Sequence, residues 1–283
     1  MSVAAFAAVF GIGLVAGLLS GLVGIGGGVL IVPFLYLFYA HPAFSGVRPP
    51  PDAATLAAHA TSLFVIVPTS LLGAWRFHRQ GAVVWRAALP IGLAAAVAAV
   101  LASRLAPVID ARVLRVAFAG LLLYSAWRLV RSRGPREAAA APTAAPRPLR
   151  LSLPVTAGTG GVVGFFSALL GVGGGMVGIP LLLGVVRVDL RRVAATSMAV
   201  IALTSFAGAA AYMLASPPSP IRPGASLGFV DVPVALAMSA GTLISVGWGA
   251  ELNRRMDPRA LALVLAVLFV VVGVRLVVVQ VMG

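Results

Sequence analysis

The chain of 283 residues contains no cysteine, no lysine and few charges of either sign. Without cysteine there are no disulfides, no thiolate metal sites and no cysteine chemistry, and the redox compartment stays unreadable. Charged residues make up 10% and hydrophobic residues 60% of the chain. Soluble domains hold roughly 25% and 45–50%, so this composition places the chain in a membrane. All 21 basic residues are arginine and gather in the short connections between apolar stretches. The net charge of +14 is therefore read as loop charge that orients spans, not as a nucleic-acid surface. Catalytic constellations are also missing: there is no HxxxH pair, no intramembrane carboxylate dyad and no serine accompanied by a histidine in a repeated context. No enzyme, no cofactor and no metal site is expected. The N-terminus MSVAAF has no basic n-region, which argues against a cleaved signal peptide.

What the chain does have, it has twice. Gly17 to Pro33 reads GLLSGLVGIGGGVLIVP and Gly164 to Pro180 reads GFFSALLGVGGGMVGIP, aligned without a gap at an offset of 147. Eight of the 17 positions are identical, and most of those are glycine. Repeated glycines carry more information than repeated apolar residues, because a GxGGG demands a special backbone path. Ala60, Thr61, Ser62, Thr69, Ser70 and Gly73 recur as Ala195, Thr196, Ser197, Thr204, Ser205 and Gly208 at an offset of 135. Asp110 then matches Asp257, and Arg128 matches Arg275, back at 147. The duplication spans the whole half.

Apolar stretches cover Val3–Ala40, Ala53–Trp75, Ala82–Ala102, Val113–Val130, Leu151–Val186, Val193–Ala215, Phe229–Ala250 and Ala260–Met282. A span needs about 20 residues. The first and fifth stretches are nearly twice that length with GxGGG near the middle, so each reads as two segments joined by a break. With five segments per half, the loops divide the arginines 15 against 5; with four per half they divide 10 against 10. Only the first count gives an orientation bias. An odd number of segments per half inverts the second copy. The expected fold is an all-α integral membrane protein of two inverted repeats, 1–130 and 151–283, joined by a cytoplasmic Arg/Ala/Pro-rich linker at 131–150.

The glycine breaks suggest chemistry. A helix that restarts at Gly28 would aim its N-terminal amides and dipole at the break, an anion site needing no cationic side chain. The second half would offer the same from the opposite face, an arrangement that transporters use near the midplane. Candidate binding residues are therefore Gly24, Gly26, Gly27, Gly28 and Gly171, Gly173, Gly174, Gly175. Ser20 and Ser167, one turn before each motif, would either donate to an anion or bond back to their own helix. Thr61, Ser62, Thr196 and Ser197 would be second donors or interhelical glue. His59 has Ala194 as its counterpart and is a candidate proton-coupling group. Gly13, Gly17 and Gly21, matched by Gly160, Gly164 and Ala168, have the small-xxx-small spacing of a helix contact. A dinucleotide fingerprint fails, since it needs glycine at Val29 and Met176.

The doubled GLLSGLVGIGGGVLIVPFL and GFFSALLGVGGGMVGIPLLL, with the Ala-Thr-Ser signature of the next segment, resemble the TauE/SafE (TSUP) family of sulfite and organosulfonate exporters. The resemblance covers both halves. It implies a multi-pass transporter of the bacterial inner membrane, exporting sulfite, organosulfonates or thiosulfate, in a family often counted with eight spans. The expected partners are a small sulfur oxyanion or sulfonate and the lipid bilayer, with no nucleic acid; a homodimer is left open. Alternating access with the anion at facing helix N-termini is the expected mechanism. An anion channel on the same breaks, or a non-transporting membrane scaffold subunit, is the alternative.

Overall fold

The computed structural model describes residues 3–23, 26–46, 49–131, 148–217, 221–222, 224–253, 266–267, 269–271, 273–274 and 278. Gly24, most of the linker and most of the expected last segment lie outside the described residues. In lipid every backbone polar group must be satisfied internally, which leaves helices as the building material. In order these are α1 (Val3–Val23), α2 (Gly28–Ala40), α3 (Pro42–Ser45), α4 (Pro51–Arg79), α5 (Trp85–Leu105), α6 (Ala111–Arg131), α7 (Leu153–Leu170), α8 (Gly175–Leu181), α9 (Leu190–Leu214) and α10 (Val232–Asn253). A 3₁₀ turn at Ala106–Val108 follows α5, and a π-helical turn at Leu182–Val186 continues α8. Six described helices are long and apolar enough to cross a membrane, and Gly28–Ala40 and Gly175–Val186 are shorter apolar helices. Both long stretches are thus broken where the glycines stand, and the second helix of each opens at the last glycine of its motif.

Local chemistry sets several of these ends. Pro51 and Pro154 occupy the first turns of α4 and α7, where their missing amide is not needed. The only described strands, β1 (Ser226–Leu227) and β2 (Val230–Asp231), pair antiparallel with Ser226 opposite Asp231. They form a small hairpin that delivers Asp231 to the start of α10.

Small residues decide how the helices meet. On α5 the buried face is Ala88, Ile91, Ala95, Ala99 and Ala102, while Leu93, Val97 and Leu101 are each more than half exposed. This inside-small, outside-large pattern suits lipid, where association depends on close packing and not on hiding apolar surface from water. Gly160 and Gly164 of α7 lie against the backbone of Ile91 and Ala95 on α5, and Gly13 and Gly17 of α1 lie against Met238 and Thr242 on α10. The packing expectation for these four glycines is met. The first helix of each half packs on a helix of the other half.

The centre is α4 against α9. A Cβ at Gly208 on α9 would lie 3.1 Å from Leu63, and Gly73 on α4 receives the tip of Met198. Leu63 and Met198 are 135 residues apart, as are Gly73 and Gly208, so the contacts exchange under the duplication. The pairing of early with late residues makes α4 and α9 antiparallel. One end of the molecule carries residues 41–50 and the β hairpin, joined where Arg222 Nη2 donates to Ser45 O at 2.8 Å. The other end carries residues 80–84, where Arg192 donates to the carbonyls of Gly81, Ala82 and Val83.

Candidate functional site

The breaks are built from residues that tolerate a left-handed backbone. Gly26 and Gly27 have φ of 88° and 78°, and their counterparts Gly173 and Gly174 have 74° and 86°. Each such value costs an L-residue with a Cβ roughly 1–2 kcal/mol. Gly27 and Gly174 are the N-caps of α2 and α8, and neither cap has a side-chain hydrogen bond to the helix. The amides of Leu30 and Ile31 bond back to Gly27 O, and Gly178 N to Gly174 O, so each restart is a regular helix opening with its positive end at the glycines.

The two breaks touch. A Cβ at Gly28 would lie 2.7 Å from both Gly171 O and Val172 Cα. Gly26 and Gly173 both face the same two side chains, Ile66 of α4 and Ile201 of α9, which the duplication again exchanges.

Ser20 and Ser167 sit beside this junction. A Cβ at Gly27 would be 3.5 Å from Ser20 Cβ, and one at Gly174 3.5 Å from Ser167 Oγ. Both serines are buried, and neither hydroxyl has a hydrogen-bond partner among the described residues. Back-bonding is the ordinary fate of a helical hydroxyl, and it is what Thr69, Ser70, Thr204 and Ser205 do, at 2.9, 2.7, 2.8 and 2.6 Å to the carbonyl four residues earlier. The two serines of the repeat depart from it together. Leaving a buried hydroxyl unpaired costs about 1–3 kcal/mol, a cost relieved by a bound acceptor.

The second group of hydroxyls divides. Ser62 donates to Gly171 O at 2.8 Å and so fixes the second break. Ser197 is buried, 4.0 Å from a Cβ placed at Gly178 of α8. Thr61 and Thr196, expected as second donors or interhelical glue, accept from backbone: Asp231 N at 3.1 Å and Val84 N at 3.2 Å. Thr196 Oγ1 also donates to Arg192 O at 2.8 Å. The reason is that α5 and α10 begin beside α9 and α4, and their first amides need acceptors. These two threonines are interhelical staples.

His59 is fully buried. Its Nε2 hydrogen-bonds the hydroxyl of Tyr36 on α2, and its backbone supports the second break, since a Cβ at Gly171 would fall 2.6 Å from His59 Cα. Sequence reasoning passed over the partners of this region. Tyr36, Tyr39, Arg115, Arg222 and Asp231 are polar residues with no repeated counterpart, and a search for repetition discards them. Asp231 accepts from Arg222 Nε at 3.2 Å and Nη2 at 3.1 Å and from Tyr39 Oη at 3.3 Å. Among the described residues no group of three or more His, Cys, Asp or Glu is placed to hold a metal ion.

Comparison with known proteins agrees with a membrane transporter. The chain is 29% identical to a probable membrane transporter protein of Methanocaldococcus jannaschii, over 93% of this chain and 91% of that one. It is 27% identical to a probable membrane transporter protein of Haemophilus influenzae, over 94% and 95% of the two chains. A third relative, the probable membrane transporter protein YunE of Bacillus subtilis, is 24% identical over 94% and 95%. No solved structure matches the chain. The family described as sulfite exporter TauE/SafE matches residues 9–276, both copies of the glycine break included, and this chain belongs to it.

Proposed function

We propose that this membrane protein is a secondary transporter that exports a small sulfur-containing anion, such as sulfite, an organosulfonate or thiosulfate. The anion is held where the two glycine breaks meet. One observation carries the reading: Ser20 and Ser167, equivalent under the duplication, are both buried and have no hydrogen-bond partner among the described residues, beside the helix openings at Gly27 and Gly174. Helix N-termini and hydroxyls together suit an oxyanion, because amides and hydroxyls donate while the helix dipole favours negative charge. Gly26 to Gly28 and Gly173 to Gly175 form the two cradles, Ser62 holds the second in place through Gly171, and Ser197 lines the α8 side.

The halves act as inverted repeats that rock against each other. Support comes from the antiparallel α4 and α9, whose contacts Leu63–Gly208 and Gly73–Met198 exchange under the duplication. The Arg192 end, richer in arginine, faces the cytoplasm of a bacterial inner membrane and the Arg222 end faces outward. A thermal-shift series on the purified chain with sulfite, thiosulfate, taurine, sulfoacetate and sulfate tests the site. One or more of the sulfur anions should raise Tm; a series in which none does would sink the reading. Flux that follows membrane potential without saturation would instead mark a channel.

A further inference from the structure

At the Arg222 end the two halves stop being equivalent. Tyr36 on α2, Thr55 and His59 on α4, and Arg115 on α6 form a polar file in the first half. The duplication sets Leu183, Leu190, Ala194 and Ala262 opposite them, so every polar position of the file is apolar in the second half.

The file leads from the outer end to the second break. Arg115 is partly exposed, lies over the Tyr36 ring at 5.8 Å, and donates from Nε to Thr55 Oγ1 and from Nη2 to Pro51 O, both at 2.9 Å. The Tyr36 hydroxyl bonds His59, and the His59 backbone rests on Gly171.

Charge separates this file from its neighbour. Arg222 is neutralised by the buried carboxylate of Asp231 at 3.1 Å. Among the described residues no carboxylate pairs with Arg115. A partly buried guanidinium without a counter-ion is unfavourable, and the contact with Tyr36 offsets only part of that. A fixed cation also selects its visitors, attracting anions and opposing the approach of protons to His59. That argues for an anion here in place of the proton-coupling role expected for His59.

We propose that Arg115, with Tyr36, Thr55 and His59, forms a second, outer station for a small oxyanion, occupied between the break at Gly171 and the outer solvent. The inference rests on the transport reading above and deepens it. The pathway becomes one-sided: the anion meets a cation on the outer side and the counterparts Leu183 and Ala194 on the other.

Equilibrium binding of radiolabelled sulfite to the full chain in phosphatidylcholine nanodiscs tests it. The wild type should hold about two anions per chain at saturation and Arg115→Gln about one, with Arg115→Lys restoring the second because charge alone attracts the anion. The double variant Tyr36→Leu, His59→Ala, which copies the other half, should also hold one, and it keeps the test open if Arg115→Gln does not fold. A wild type that binds one anion, or an Arg115→Gln that still binds two, overturns the outer station and leaves the site at the breaks standing. A wild type that binds none removes the transport reading itself. If phosphatidylglycerol nanodiscs abolish the second sulfite, the cation belongs to a lipid phosphate and the proposal falls.

Discussion

Ser20 and Ser167 are the residues on which the account turns, because their equivalent buried hydroxyls lack a hydrogen-bond partner among the described residues. A hydroxyl that already has its partners destabilises the protein when removed; an unpartnered one does not. Ser20→Ala and Ser167→Ala should therefore leave the Tm of the unliganded protein unchanged or raise it. Each should weaken sulfite binding about tenfold, equivalent to about 1.4 kcal/mol, as measured by the concentration dependence of the thermal shift. Gly174→Ala should behave oppositely, since φ of 86° and a Val163 methyl 2.8 Å from the new Cβ strain the fold. Its Tm should drop, and its response to sulfite should be lost. The serines and glycines were legible in the sequence because they recur in register. Tyr36, Arg115 and Asp231 were not, because nothing repeats them; the signal that finds them is a polar residue opposite an apolar counterpart.

Among the elements, the seams between α7 and α5 and between α1 and α10 hold the halves together through glycine. Gly164 lies against the backbone of Ala95, whereas Gly161, three residues earlier on the same helix, has no atom within 4 Å of an added Cβ. Gly164→Leu should push α7 off α5 and abolish a monodisperse peak on size exclusion in detergent, while Gly161→Leu should elute as the wild type does. The helix restarts at Gly28 and Gly175 were readable because glycine acts locally on the backbone. The fate of Thr61 and Thr196 was not. Their partners, the amides of Asp231 and Val84, lie 170 and 112 residues away in sequence, and only the packing of α10 beside α4 and of α5 beside α9 brings them together. The π-helical turn at Leu182–Val186 continues α8 where its counterpart α2 runs on as a regular helix, and no periodicity in the sequence announces it.

At the scale of the whole molecule, two halves related by duplication interlock around α4 and α9, and the Arg222 end is fastened by Asp231, Arg222 and Tyr39. Asp231 belongs to the second half and reaches Tyr39 and, through its amide, Thr61 of the first. Asp231→Ala leaves the Arg222 charge uncompensated and should cost about 3–5 kcal/mol of stability, seen as a fall in Tm that Arg222→Ala in the same chain partly reverses. The broad class, the duplication and the breaks followed from composition and spacing; the fastening did not, because it joins residues on opposite halves that no local pattern links. The central claim is that the facing breaks hold a transported anion through two equivalent serines. Its most direct test is radiolabelled sulfite flux in proteoliposomes carrying the wild type or the Ser20→Ala, Ser167→Ala double variant. The account predicts saturable flux in the wild type and, at sulfite well below half-saturation, at least about tenfold less in the double variant. Equal flux in the two would contradict it.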